Sequence, residues 1–169
     1  MGTKRVVVEK SIAEEMKALI VKHVEALKVG DPHDPEVFVS TLMNQNQIDE
    51  CCAVVDRAKE QGAKVLTGGY RREDLGQGWC YQPTVLEVTE DMDVAKVEIF
   101  GPELKILVAQ DKDDAIRIAN NTSYGLSSGV ITGNGYDAIG IAQQIESGIC
   151  HINDCSMDDH PHAPLGGAK

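Results

Sequence analysis

Basic residues are in short supply in this 169-residue chain: 16 Lys and Arg stand against 27 Asp and Glu, for a formal net charge of −11. That deficit argues against a surface for nucleic-acid phosphates, because nucleic-acid affinity rests on clustered cations that displace counterions. Beyond the N-terminus the one adjacent basic pair is Arg71-Arg72. No apolar run approaches the roughly 18 residues of a membrane span, and no leader-type segment precedes residue 20. The expectation is a cytoplasmic protein that binds neither nucleic acid nor membrane. Five cysteines with no CxxC spacing exclude a disulfide framework and favour free thiols in a reducing compartment. Aromatics are also sparse, at 4 %.

What is present is ordinary for a globular protein. Hydrophobic residues make up 42 % and charged residues 25 %, which leaves no room for a large disordered region. At this length one domain over 1–169 is expected, burying roughly 70 % of the unfolded chain's surface. No repeat, low-complexity tract or linker suggests a second.

Strand-like and helix-like periods alternate, which implies parallel strands joined by helical crossovers. Thr3 to Glu9 is a β-branched run, and Ser11-Ile12-Ala13-Glu14 reads as a capping box. Ile12, Met16, Leu19, Ile20, His23 and Leu27 follow at helical spacing, up to a stop near Gly30-Asp31-Pro32. A second helix is expected from Asn44, its cap, to Gln61, with Ile48, Cys51, Cys52, Val55 and Ala58 inward and Gly62 as terminator. Strands are read at Lys64–Thr67, Trp79–Val88 and Glu103–Gln110, with a short turn or helix around Val94. Lys112–Asn120 reads as a helix with Ala115, Ile116 and Ala119 inward, and Ser127–Thr132 as a buried strand. Tyr136–Ile145 is the most regular amphipathic stretch, and Ile149–Asn153 the last strand.

Among residues with chemistry to offer, Glu98-Ile99-Phe100-Gly101-Pro102 is the sharpest motif. A carboxylate held before a rigid Gly-Pro turn can accept two hydrogen bonds from vicinal ribose hydroxyls, and an adjacent ring can limit where a nicotinamide sits. A solvated Glu beside a buried Phe is the plainer alternative. Cys155, His160 and His162, with Cys150 and His151 nearby, carry metal-type ligands but lack paired cysteine spacing, so solvated loop histidines outweigh a zinc site and no metal is expected. Cys51 and Cys52 fall on a helix, where a core role outweighs redox chemistry.

The motif does not stand alone. Leu27-Lys28-Val29-Gly30-Asp31-Pro32, Gly68-Gly69 and Gln82-Pro83-Thr84-Val85 precede it. Asn120-Asn121-Thr122-Ser123-Tyr124-Gly125-Leu126, Ser147-Gly148, Ile152-Asn153 and Pro164-Leu165-Gly166-Gly167 follow. In this order and spacing, across essentially the whole chain, they resemble the C-terminal catalytic portion of an NAD(P)-dependent aldehyde dehydrogenase. The resemblance implies an α/β fold, an open, mostly parallel twisted sheet flanked by helices.

It also implies that a cysteine thiolate attacks an aldehyde, the thiohemiacetal passes hydride to NAD or NADP, and water activated by a Glu hydrolyses the thioester. Arg5, followed by Val6, Val7 and Val8, fits the arginine that opens an apolar strand after the family's G-Q-x-C nucleophile. The resemblance therefore puts that cysteine just before Met1, with the general-base Glu, the oxyanion-hole Asn and the coenzyme fold also upstream. The family's S-G-x-G segment and oligomerisation strand would lie past Lys169. On this reading the chain is a fragment without catalytic residues of its own, inactive and without bound coenzyme when alone. In the complete enzyme Glu98 and Phe100 would contact NAD or NADP, the substrate would be a small-molecule aldehyde, and the assembly a homo-oligomer.

Departures from the pattern bear on the substrate. Leu165 replaces the aromatic of the family's P-F-G-G: either the aldehyde is bulkier or differently shaped, or the tunnel is no longer selected for use. The run Asp158-Asp159-His160-Pro161-His162-Ala163-Pro164 is similar to the D-E-P-H-x-P pattern of aryl-aldehyde dehydrogenases. Met157 and Leu165 are the candidate substrate contacts, with loop packing as the alternative. For the chain as a whole, the second reading is a non-catalytic assembly or regulatory module that keeps the fold.

Overall fold

The computed structural model describes residues 2–76, 78–157 and 161–169, and the chain divides into two compact units, Lys4–Val108 and Ala109–Lys169 with the first three residues.

In the first unit β1 (Arg5–Glu9) leads into α1 (Ala13–Glu25), then α2 (Gln45–Glu60), β2 (Lys64–Thr67), β3 (Thr84–Glu87) and β4 (Glu103–Ala109). The strands form a sheet of order β1-β4-β3-β2, with β3 parallel to β4 and β2 antiparallel to β3. Its strands bury residues on both faces, as expected of a sheet covered by helices on each side. On one face Val8, Val85 and Ile106 pack with Val6, Leu66 and Val108 against Ala13, Met16, Ile20 and Val24 of α1. Leu86 and Leu107 alternate to the other face and are also buried. That is the side of α2, whose Cys51 sulfur lies against Gly101.

The α2 boundaries follow the expected signals: the Asn44 side chain accepts from the Gln47 N–H at 3.0 Å, and Gly62 takes a left-handed φ of 92° just past the end. Its inner face is Ile48, Cys51, Val54, Val55 and Ala58, so Val54 takes the place expected for the half-buried Cys52. The Ser11 capping box does not form. Ile12 is the N-cap and no side chain caps the helix; instead the Ile12 and Ala13 N–H groups donate to the carbonyls of Glu9 and Lys10 in a tight turn off β1. This turn rotates the helix so that Ala13, Met16, Lys17, Ile20 and Val24 face inward, and Ile12, Leu19 and His23 do not. Lys17 keeps its charge there by pairing with Glu14 at 2.6 Å and Glu87 at 3.1 Å.

The second unit holds α3 (Lys112–Asn120), β5 (Ser127–Val130), α4 (Gly135–Ala142) and β6 (Ile149–Ile152). β5 and β6 pair in parallel from Ser127 opposite Ile149 to Val130 opposite Ile152, with α4 as the crossover. β5 is not the buried strand expected, since only Val130 in it is buried. α4 ends at Ala142, and only Ala138 of it is buried. In α3 the buried residues are Ile116 and Ile118, with Ala115 and Ala119 partly covered. Among the described residues no helix is long and apolar enough to cross a membrane.

Candidate functional site

The loop before β4 is held from several directions. Its residues Val97 to Pro102 alternate in exposure: Ile99 is buried, Glu98 half-buried, and Phe100 is 68 % exposed. Ile99 thus anchors the loop in the core, while Phe100 is exposed and Glu98 stays half-buried. The N–H of Thr84 donates to the Pro102 carbonyl at 2.8 Å, which ties the end of the loop to β3. Gly101 is required by contact, because a Cβ there would stand 2.3 Å from the Cys51 sulfur.

Two lysines reach the loop backbone. Lys4 Nζ donates to the Gly101 carbonyl at 2.9 Å, and Lys105 Nζ donates to the Val97 carbonyl. Lys105 is 1 % exposed and shares its face of β4 with Glu103, 4 % exposed. Burial pushes the Glu103 carboxyl up to about 7, against the opposing pull of Lys105, Cys51 and Lys4. Burial brings Lys105 down to about 8, with Glu103 pulling the other way. Cys51 is pushed up to about 12, first by burial and then by Glu103, so its thiol stays protonated. Tyr81, fully buried, is raised by the same two causes, and its hydroxyl and both Glu103 oxygens lack a well-formed hydrogen bond among the described residues.

The structure therefore places Glu98 and Phe100 on one clamped loop of the first unit. Met157 and Leu165 both belong to the second unit and both are exposed. The segment before Met157 is pinned through Ser156, whose carbonyl accepts from Ser127 at 3.2 Å and whose hydroxyl meets that of Thr3 at 2.9 Å. Leu165 precedes a close backbone crossing: a Cβ on Gly148 would stand 1.6 Å from the Gly166 carbonyl oxygen. Asp158, Asp159 and His160 lie outside the described residues. Sequence reasoning missed Glu103, Lys105 and Lys4. The available signal was an opposite-charge pair two residues apart on one face of an otherwise apolar strand.

The Gly101 contact gives a direct check on the loop's packing. Gly101→Ala is expected to cost about 1–3 kcal/mol, as an overpacked core does. Cys51→Ala removes the sulfur and should recover most of that loss, which a thermal-denaturation double-mutant cycle measures. Additive losses would mean that the loop and α2 are not in register.

A parallel-strand framework that presents a carboxylate and an aromatic ring from a fixed Glu-Ile-Phe-Gly-Pro loop is that of an α/β enzyme domain. Comparison with known proteins makes this specific: the chain belongs to the aldehyde dehydrogenase family, whose sequence model matches residues 1–169. It is 38 % identical over 171 residues to the benzaldehyde dehydrogenase YfmT of Bacillus subtilis, covering 100 % of this chain and 34 % of the relative. It is 33 % identical to the vanillin dehydrogenase of Pseudomonas fluorescens, covering 100 % of this chain and 34 % of that protein. The crystal structure of PnpE in complex with nicotinamide adenine dinucleotide superposes with a TM-score of 0.93 at 36 % identity, over 97 % of this chain and 34 % of that one. The chain spans about a third of the length of the curated relatives it matches.

Proposed function

We propose that this chain is the C-terminal catalytic portion of an NAD(P)-dependent aldehyde dehydrogenase that oxidises an aldehyde, of the aromatic class, to its carboxylate. The clamped loop carries the proposal. It presents the Glu98 carboxylate at a half-buried position and the Phe100 ring to solvent while Ile99 is sunk in the core. Such a fixed carboxylate fits the vicinal hydroxyls of the nicotinamide ribose, and an exposed ring beside it fits a planar partner. The bound nicotinamide supplies hydride acceptance. Glu98 orients the ribose by charge-assisted hydrogen bonds, and Phe100 bounds the space the ring occupies. The thiol nucleophile and the general base come from the rest of the enzyme, since Cys51 is buried and held protonated and no cysteine here sits in a nucleophile motif.

Met157 and Leu165 would line the aldehyde's approach, and an aliphatic Leu165 leaves room for a ring. Relatives named for benzaldehyde and vanillin support the aromatic assignment. The complete enzyme is expected to reduce NAD with benzaldehyde at a kcat/KM about tenfold above that with betaine aldehyde, the discrimination an apolar pocket supplies. A preference for betaine aldehyde would overturn the substrate class, and no aldehyde-dependent reduction at all would overturn the activity. The proposed complete enzyme is a homo-oligomer.

A further inference from the structure

Under the loop lies a group of buried charges that the reading above leaves without a task. Glu103 and Lys105 are 4 % and 1 % exposed, and burying a charge costs free energy unless a specific interaction offsets it. Leu86 stands opposite Lys105 and Leu104, Ile106, Leu107 and Val108 share its strand, so an apolar pair would fill the same space at no such cost. The two ammonium groups are aimed at backbone. Lys105 Nζ donates to the Val97 carbonyl, one residue before Glu98, and Lys4 Nζ donates to the Gly101 carbonyl at 2.9 Å, one residue after Phe100. The same Gly101 carbonyl takes the Glu103 N–H at 2.9 Å. The coenzyme-facing residues are thus bracketed by two charge-assisted hydrogen bonds.

Resting on the assignment of Glu98 to the coenzyme ribose, we infer that Lys105 and Lys4 are positioning residues, which fix the backbone on either side of Glu98 and Phe100 so that the carboxylate meets the ribose in one orientation. Glu103 is the counter-charge that lets Lys105 remain an ammonium inside the core. A neutral amine still donates, but a charged donor holds a carbonyl roughly twice as strongly. Burial brings Lys105 down to about 8, so the closed loop, in which Lys105 is buried, gains over an open, solvated state as pH rises through that value. The charged groups that act on Lys105 are Glu103 on its own strand, Lys4 just before β1, Arg5 at its start, and Glu98 on the loop itself. Tyr81 and Cys51 adjoin Glu103 and stay protonated across this range.

The test uses the exposed Phe100 as a reporter, since chymotrypsin cleaves there only when the loop opens. Lys105→Met in a Glu103→Leu background removes both charges together and keeps the core apolar, and Lys4→Met and Lys4→Arg address the second arm. Relative to the unfolded chain of the same sequence, cleavage after Phe100 is expected to rise about tenfold in the Glu103→Leu/Lys105→Met variant and severalfold in Lys4→Met. It should return towards wild type in Lys4→Arg. Wild-type cleavage should also fall between pH 7 and pH 9, and the double variant should lose that fall.

In the complete enzyme the same double variant should raise the KM for NAD about tenfold with the aldehyde KM unchanged. Unaltered cleavage in both lysine variants overturns the inference. Faster cleavage with an unchanged KM for NAD also overturns it if Glu98→Gln raises that KM, because the clamp then does not serve the coenzyme. Faster cleavage while neither the double variant nor Glu98→Gln alters that KM overturns the ribose assignment, and the inference with it.

Discussion

Incubated with NAD and benzaldehyde, the 169-residue chain alone is expected to form no NADH. Aldehyde oxidation needs an activated thiolate, and the cysteines here are poorly suited to supply one. Cys51 and Cys80 are buried. Cys51 is pushed up to about 12, and Cys52 is raised by burial and then by Asp56 and Asp49. A thiol in an apolar, anionic setting is inert because the thiolate is the nucleophile. Cys150 and Cys155 lie in the second unit, outside any nucleophile motif. Catalytic groups that act as a unit leave little residual rate when one is missing, so the loss should be by orders of magnitude rather than a fraction. The check is absorbance at the NADH band with each cysteine substituted in turn. NADH formation that disappears on replacing one of the five would place the nucleophile within this chain.

The second large effect is on stability. Removing Lys105 alone, as Lys105→Met, takes away the cation that pulls the Glu103 carboxyl down and the donor to the Val97 carbonyl, and is expected to cost about 1–3 kcal/mol near pH 8, the range for leaving buried polar groups unsatisfied. Glu103→Leu/Lys105→Met removes both charges and should be neutral or stabilising by about 1–4 kcal/mol. The pH dependence separates the two groups. Glu103 has a folded pKa raised to about 7 from 4.5, so the folded chain holds the proton longer, and its contribution falls as pH rises from 4.5 through about 7. Lys105 has a folded pKa lowered to about 8 from 10.5, so the folded chain releases its proton first, and stability recovers as pH rises from about 8 towards 10.5. The stability difference between wild type and the double variant, from urea unfolding across this pH range, should therefore show wild type at its relative worst between about 7 and 8. A difference that is flat with pH would mean that the two groups are solvated.

Local chemistry explains which features could be read from the chain. Asn44 and Gly62 bound α2 because a side-chain acceptor and a left-handed glycine act within a few residues, and Lys112–Asn120 is a helix as read. Ser11 failed as a cap because the turn off β1 had already satisfied the first N–H groups through Glu9 and Lys10, a consequence of where the strand ends. The inward side of α1 then followed that turn and left Leu19 outside. Ser127–Thr132 reads as a buried strand because small residues carry no sign of which face is covered, whereas β5 ends at Val130, its one buried residue. The Glu98 to Pro102 loop was legible because it is contiguous. Its support was not, since Lys4, Cys51, Thr84 and Lys105 converge on it from four separate elements or segments, and only the fold brings them together.

Glu98→Gln in the complete enzyme tests most directly whether the Glu98 carboxylate serves the coenzyme. A neutral amide accepts less strongly than a carboxylate, whose charge-assisted bonds contribute about 1.5–3 kcal/mol. The expected result is a KM for NAD raised by about tenfold or more and slower hydride transfer in single turnover, with the enzyme still folded. A substituted enzyme that keeps its KM for NAD and its kcat while losing stability would contradict it and make Glu98 a structural group.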